Sequence, residues 1–405
     1  MAQPVPSSDL AAKGRETTVL LGWELGGGLG HAGPLLSLAR ALATKGCRPV
    51  LVWRDVVQPW SLLRGESFPV FQAPFWQPRP SPQPFQAAGY ADILAVNGYG
   101  SADDLRPLVE AWQAILNEVR PALVVCDHAP TLCLAAYGAI PTVLLGSGFI
   151  LPPSEGERFP LLASGHPPTM SEEEVLANVR EVQRHRDRPA PATLPALFAA
   201  AERFVTCLSE IDPYSDSRRE PHLGPLEGLP EPAPLPDRPS YFAYLSAHYG
   251  LVETVLDRLS QPGYTGTAYV RGATAAQRQR WRRSGLTILD APQPLADVVL
   301  PAAVVVLHGT TVMQFALAAG RPQLLFPEHL EQALAALHMH RLGVAHYLHA
   351  PYPIEDIAEG LRQLMTRYEF RERAQQTARA IHARGPWNAL ERIADRCLAL
   401  LASPN

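Results

Sequence analysis

Apolar positions along this chain switch repeatedly between the short runs of a buried strand and the three-and-four spacing of a helix. Thr17 to Gly22 is a β-branched and leucine run. A glycine cluster follows it, then a helical pattern from Pro34 to Lys45 and a second strand from Pro49 to Trp53. Helix Leu105–Val119 precedes strand Ala122–Cys126, and helix Pro130–Tyr137 precedes strand Thr142–Leu145. Such alternation predicts a parallel sheet with helices on both faces.

From Pro221 to Pro239 the chain carries seven prolines and little that could build a core, the composition of a semi-rigid linker. Beyond it the pattern predicts strands Tyr241–Leu245, Thr267–Val270, Leu286–Leu289, Ala303–Leu307 and Gln323–Phe326. Helices Leu251–Leu259, Ala273–Arg282, Thr311–Ala319 and Leu330–Arg341 fall between or after them. Trp387–Leu401 is amphipathic, with Ile393, Ala394, Cys397 and Leu401 at helical spacing, and needs a partner surface. The expected architecture is α/β, two tandem Rossmann-like domains facing across a cleft. A flexible N-terminus covers 1–16, the first domain 17–220, the linker 221–239, the second domain 240–385 and a final helical segment 386–405. Ligands of such sheets bind beyond the carboxyl ends of the strands, so the informative residues should follow strands directly.

Composition narrows the class. The 405 residues suit two or three domains at about 150 residues each. With 47% apolar residues, 18% charged residues and a net charge of -4, the chain reads as globular and not as a nucleic-acid binder. Lys13 and Lys45 are the only lysines among 35 basic residues, a skew from which no function follows. Cys47, Cys126, Cys133, Cys207 and Cys397 show no CxxC spacing and read as buried thiols of a reducing compartment. The N-terminal segment lacks a secretion signal's apolar stretch, and no run approaches the ~18 residues of a membrane span. A cytoplasmic protein is expected, with peripheral membrane attachment left open.

Two constellations carry chemistry. In the first, Gly28-Leu29-Gly30-His31-Ala32-Gly33 formally matches the dinucleotide fingerprint GxGxxG, with Asp55 at the end of the second strand. A nicotinamide-dependent oxidoreductase is therefore one reading, opposed by Pro34 and by the residues separating the strand from these glycines. The other reading takes His31, at a helix N-terminus whose dipole favours the neutral imidazole, as a proton acceptor. Asp127, directly after a strand, is its candidate orienting partner; a helix-capping histidine and aspartate would occupy the same positions.

In the second, strand Ala303–Leu307 runs into His308-Gly309-Thr310-Thr311 and a helix. Free N–H groups, a glycine and hydroxyls at a helix start form a cradle suited to a diphosphate without a metal, with simple capping as the plainer alternative. Glu331 and Gln332 open a later helix and can bind sugar hydroxyls, or form a solvated first turn. Arg271, at a strand end, is a candidate phosphate contact. His338 and His340 are two apart on a helix and do not make a metal pair. Trp60, Phe68, Phe71, Phe75, Trp76, Phe85, Tyr90 and Tyr99 crowd a proline-rich region, suggesting either an apolar or aromatic acceptor site or a satellite core.

Together these residues resemble the family 1 nucleotide-sugar glycosyltransferases of the two-Rossmann-domain (GT-B) fold, the macrolide- and glucuronosyl-type transferases. Gly30-His31-Ala32-Gly33-Pro34 matches that family's GHxxP, and Asp127 in VVCDHAPTLCLAAYGAIPTV matches its acid. His222-Leu223-Gly224-Pro225-Leu226 is similar to xxGPL, and Ser246 falls at the Gly-Ser turn near the donor. Asp290-Ala291-Pro292-Gln293 is similar to xxPQ, His308-Gly309 to HGG, and AAGRPQLLFPEHLEQ to AAGxPQxxxPxxxDQ.

The resemblance implies an inverting, metal-independent hexosyl transfer from a nucleoside-diphosphate sugar co-substrate. The acceptor would be a small molecule bound by the first domain, and the aromatic-rich region there leaves open one that is hydrophobic or lipid-linked. The catalytic base would be His31, partnered by Asp127. The donor would be held by Gly30, Ser246, Pro292, Gln293, His308, Gly309, Thr310, Thr311, Gln314, Glu331 and Gln332, with Arg271, from its strand-end position alone, either a further phosphate contact or a surface arginine. The final helix would cross back onto the first domain. The chain departs from the family in a shorter His308 loop, in Gln314 where a ribose-binding glutamate is expected, in Glu331 for aspartate and in Ala335 for asparagine. A nucleotide-sugar epimerase of the same fold and a non-catalytic nucleotide-sugar-binding homologue remain as alternatives.

Overall fold

Strands rich in Val and Leu over their whole length bury both faces and need helices on each side. The computed structural model describes residues 17–77, 87–163, 167–260, 263–282 and 285–403. The expected flexible segment 1–16 and Phe85 lie outside the described residues.

The first sheet contains β1 (Thr17–Trp23), β2 (Cys47–Trp53), β3 (Val70–Gln72), β4 (Leu123–Asp127), β5 (Thr142–Gly146) and β6 (Glu202–Val205), in spatial order β3-β2-β1-β4-β5-β6. The second contains β7 (Ser240–Ser246), β8 (Thr265–Arg271), β9 (Leu286–Ile288), β10 (Val304–Leu307), β11 (Gln323–Leu325) and β12 (Ala345–Tyr347), in order β12-β11-β10-β7-β8-β9. All pairings within these sheets are parallel. Both sheets are doubly wound and reverse direction beside their first strand, between β1 and β4 and between β7 and β10. A crevice opens beyond the carboxyl ends at such points.

Five helices accompany the first sheet among the described residues: α1 (Leu29–Thr44), α2 (Tyr90–Leu94), α3 (Ala102–Val119), α4 (Pro130–Ala136) and α5 (Glu172–His185). After β7 come α6 (Val252–Leu259), α7 (Ala275–Trp281), α8 (Leu295–Val299), α9 (Thr310–Ala318), α10 (Leu330–Arg341), α11 (Glu355–Thr366), α12 (Tyr368–Ala383) and α13 (Ala389–Ala402). The local causes are ordinary. In α3 the Ser101 hydroxyl accepts from the N–H groups of Asp103 and Asp104, and Leu105, Val109, Trp112 and Leu116 form its buried stripe.

Helix α1 begins at Leu29, five residues ahead of the Pro34 start that the pattern predicts. Proline has no N–H, so the Gly30 carbonyl lacks its usual donor at the crevice mouth. The edge strands β3, β6 and β12 and helices α2, α5, α8, α11 and α12 were not predicted by the apolar pattern.

The final helix and the segment between the sheets both help to couple the lobes. Helix α13 buries Ala389, Ile393, Ala394 and Cys397 in the same apolar cluster as Leu35, Leu38 and Leu42 of α1. The segment between the sheets is docked onto the second lobe, where the fully buried Arg321 guanidinium donates to the carbonyls of Ala233 (2.8 Å), Pro234 (2.9 Å) and Leu300 (2.6 Å).

Candidate active site

The first sheet delivers its chemistry at the carboxyl ends of β1, β4 and β5. Beyond β1 the chain turns through Gly26 and Gly28 at φ 79° and 81°, left-handed values that favour glycine, and enters α1 with His31 in its first turn. Asp127 ends β4, and its buried Oδ1 lies 3.1 Å from His31 Nδ1. A carboxylate only accepts, so Nδ1 carries the hydrogen and Nε2 of the neutral ring is the free acceptor. Trp23 stacks on the imidazole, with centroids 5.1 Å apart and planes 20° from parallel.

Burial disfavours charge on His31, but the Asp127 carboxylate and, beyond it, Glu331 outweigh burial and raise the imidazole above its ordinary 6.5. This corrects the expectation that the helix dipole sets its state. A full negative charge at hydrogen-bond distance exceeds the roughly half charge of a helix terminus.

Glu24 was missed by sequence reasoning. It follows β1, is fully buried, and accepts from the Thr131 and Leu132 N–H groups (2.9 and 3.4 Å), closing the first turn of α4. Burial pushes its carboxyl up to about 7, against the pull of those bonds and of Arg54. Arg54 donates to the Glu24 carbonyl at 3.0 Å.

From the second sheet, β10 leads through His308 and the extended Gly309 into α9, whose start has no side-chain cap. Thr310 and Thr311 are its first two helical residues, so simple capping by either hydroxyl does not describe them. His308 Nδ1 lies 2.6 Å from the Phe326 carbonyl, so Nδ1 carries a hydrogen; Nε2 is buried with no partner among the described residues. Burial pulls the His308 pKa down, so Nε2 is a bare lone pair that would offer a hydrogen bond to a phosphate only after taking up a proton.

Gln332 accepts from Glu328 N–H at 2.8 Å, and its Nε2 would lie 3.8 Å from a side chain placed on Gly309. Ser246 is buried and accepts from His248 N–H at 3.3 Å. Pro292 and Gln293 are exposed on the loop after β9. Asp290 in the same loop pairs with Arg278 and Arg282. Gln314 is placed differently from a ribose ligand with a free carbonyl. It is buried, and its Oε1 accepts from Leu208 N–H at 2.8 Å across the lobes.

The two sets of residues meet. Ser147, just after β5, donates to Glu331 Oε1 at 2.8 Å. Arg271 Nη1 would lie 3.9 Å from a side chain on Gly28, so the β8 end reaches the glycine turn beside Gly30. Of the proline-rich aromatics, Tyr90 and Tyr99 are buried in the core, while Trp60, Phe71 and Phe75 are exposed. A cavity of about 490 Å³ also opens at the amino ends of β7, β8 and β9, on the rim away from these residues.

The ligand atoms of Cys207, Asp212 and His222 lie within 4.8 Å of one another. Arg218 donates to both Asp212 oxygens and Gly148 N–H to Cys207 Sγ, so a guanidinium already fills the cation's electrostatic role there.

No protein-family model and no curated protein matches the sequence. Solved structures do. A glycosyltransferase of kitacinnamycin superposes with a TM-score of 0.64 at 17% identity, over 96% of this chain and 100% of the other. The calicheamicin glycosyltransferase CalG4 gives 0.63 at 19%, over 96% and 100%. The spinosyn rhamnosyltransferase SpnG, complexed with spinosyn aglycone, gives 0.62 at 15%, over 93% and 99%. The chain has the GT-B glycosyltransferase fold. Within that GT-B frame His31, Asp127 and Ser147 stand on the first Rossmann-like lobe, and Arg271, the α9 start and Glu331 on the second. No helix among the described residues is long and apolar enough to cross a membrane.

Proposed function

We propose that this chain is a glycosyltransferase that moves a sugar, with inversion and without a metal, from a nucleoside diphosphate to a hydroxyl of a small-molecule acceptor. The observation that carries the reading is the His31–Asp127 pair of the first lobe lying close enough to Glu331 of the second for that carboxylate to act on the imidazole. SpnG is complexed with an aglycone, which supports a small-molecule acceptor.

His31 Nε2 takes the acceptor's O–H proton as that oxygen forms its bond to the anomeric carbon. The carbon–phosphate oxygen bond breaks on the opposite face, and its electron pair leaves on the diphosphate. Asp127 holds the imidazole's orientation and stabilises the imidazolium, a contribution of general-base type of about 10²–10⁴ in rate. The N–H groups of Thr310 and Thr311 and the Arg271 guanidinium meet the departing charge, aligned before it develops. Glu331 and Gln332 hold the sugar. Exposed Trp60, Phe71 and Phe75 on the first lobe favour an apolar or aromatic acceptor.

The test is nucleoside diphosphate release from a panel of nucleotide sugars in the presence of hydroxyl acceptors, for the wild type and His31→Ala. Equal release from both removes His31 from the reaction. Sugar epimerisation without an acceptor would establish the epimerase instead.

A further inference from the structure

His128 follows Asp127 and belongs to no role described above. It is a non-glycine residue at φ 47°, a strained left-handed conformation held here by the Leu25 N–H bond to its carbonyl at 2.9 Å. Both ring nitrogens are buried and have no hydrogen-bond partner among the described residues. The ring lies 5.8 Å from that of His31 and 6.4 Å from that of Tyr90. A side-chain carbon on Gly26 would lie 2.6 Å from His31 Nε2 and 3.3 Å from His128 Nδ1, so the two nitrogens stand close together against the same glycine.

We propose that His128 binds the acceptor. Its imidazole hydrogen-bonds a second oxygen function placed beside the hydroxyl that His31 deprotonates, so the site selects acceptors carrying two adjacent oxygens. The inference rests on the glycosyltransfer reading. Burial, His31 and Arg54 keep the His128 ring neutral, with one donor and one acceptor nitrogen. That is the complement of a hydroxyl, which also donates and accepts.

The experiment compares 6,7-dihydroxycoumarin with 7-hydroxycoumarin as acceptor probes, for the wild type, His128→Gly and His128→Asn, with nucleotide-sugar binding measured by calorimetry. Glycine relieves the left-handed backbone, so His128→Gly should unfold at the same or a higher temperature. The wild type should favour the dihydroxy probe in kcat/KM by about tenfold, the worth of a good hydrogen bond. His128→Gly should lose that preference mainly through KM, and asparagine, which tolerates this φ and both donates and accepts, should restore part of it. An unchanged preference in His128→Gly overturns the inference. So does transfer to neither probe by a wild type that binds nucleotide sugar. A wild type that binds no nucleotide sugar overturns the glycosyltransfer reading itself.

Discussion

His31 Nδ1 and Asp127 Oδ1 are 3.1 Å apart although 96 residues separate them in the chain. The contact exists because β1 and β4 are parallel neighbours, with Trp23 opposite Asp127 in register, and both end at the same rim. Anything that follows either strand is delivered to one place.

The pair has a pH signature. A base must be neutral, so kcat should fall with acidification through a pKa above 6.5, because Asp127 and Glu331 raise His31 against the effect of burial. Asp127→Asn should lower the maximum rate and move this limb to lower pH in a pH–rate profile. Stability carries the opposite sign of dependence. A histidine raised by folding stabilises fully below its unfolded pKa and loses that contribution as pH rises through the folded value. The melting-temperature gap between wild type and Asp127→Asn should therefore be wide near pH 6 and narrow in alkali.

Glu24 behaves the other way from an ordinary carboxylate. Its carboxyl rises from 4.5 to about 7 on folding, driven by burial, so folding takes up a proton between those values. The stabilisation is present below pH 4.5 and lost as pH rises through 7, on the order of 3 kcal/mol in all. Glu24→Gln keeps an acceptor for Thr131 N–H and removes the titration. Its melting temperature should vary less than the wild type's between pH 5 and 8.

Arg321 tests the docking of the interlobe segment. Replacing it with leucine removes the donor to the Pro234 and Leu300 carbonyls, while Ala233 keeps its bond from Gln375 Nε2 at 2.9 Å. An unsatisfied buried acceptor costs about 1–3 kcal/mol. Urea unfolding should shift to lower midpoint by an amount equivalent to several kcal/mol, and Arg321→Lys should recover only part of it.

Glu331 can be separated from the phosphate site. Hydrogen bonds to a charged group are worth about 1.5–3 kcal/mol, or roughly 10- to 150-fold in affinity. Glu331→Ala should weaken nucleotide-sugar binding by that order in calorimetry while leaving binding of the bare nucleoside diphosphate unchanged. Equal losses for both ligands would place Glu331 on the nucleotide and not on the sugar.

Gly26 guards the reacting nitrogen. A side chain there would be strained at φ 79° and would stand 2.6 Å from His31 Nε2. Gly26→Ala should lower kcat by about 10²-fold or more, since general-base catalysis carries about 10²–10⁴, with nucleotide affinity retained.

The long central strands were legible because burial on both faces writes itself as an unbroken apolar run, as in Leu123–Asp127. Edge strands were not. Val70–Gln72 is only partly covered, so little selects its side chains for burial. His31, Asp127 and the α9 start were found because strand ends are where such sheets act. The same rule could have picked out Ser147 and Glu24. His128 gives no signal in the chain beyond following Asp127.

By itself the order of residues determined the alternating strands and helices, the proline-rich boundary and the polar groups at strand ends, since these depend on neighbours along one element. Only the tertiary structure decided that Asp127 and Glu331 outweigh burial at His31, that Gln314 is spent on Leu208, and that Ser147 reaches Glu331. Each of those depends on distance and burial between elements far apart in the chain, and electrostatic and hydrogen-bond energies are set by that separation.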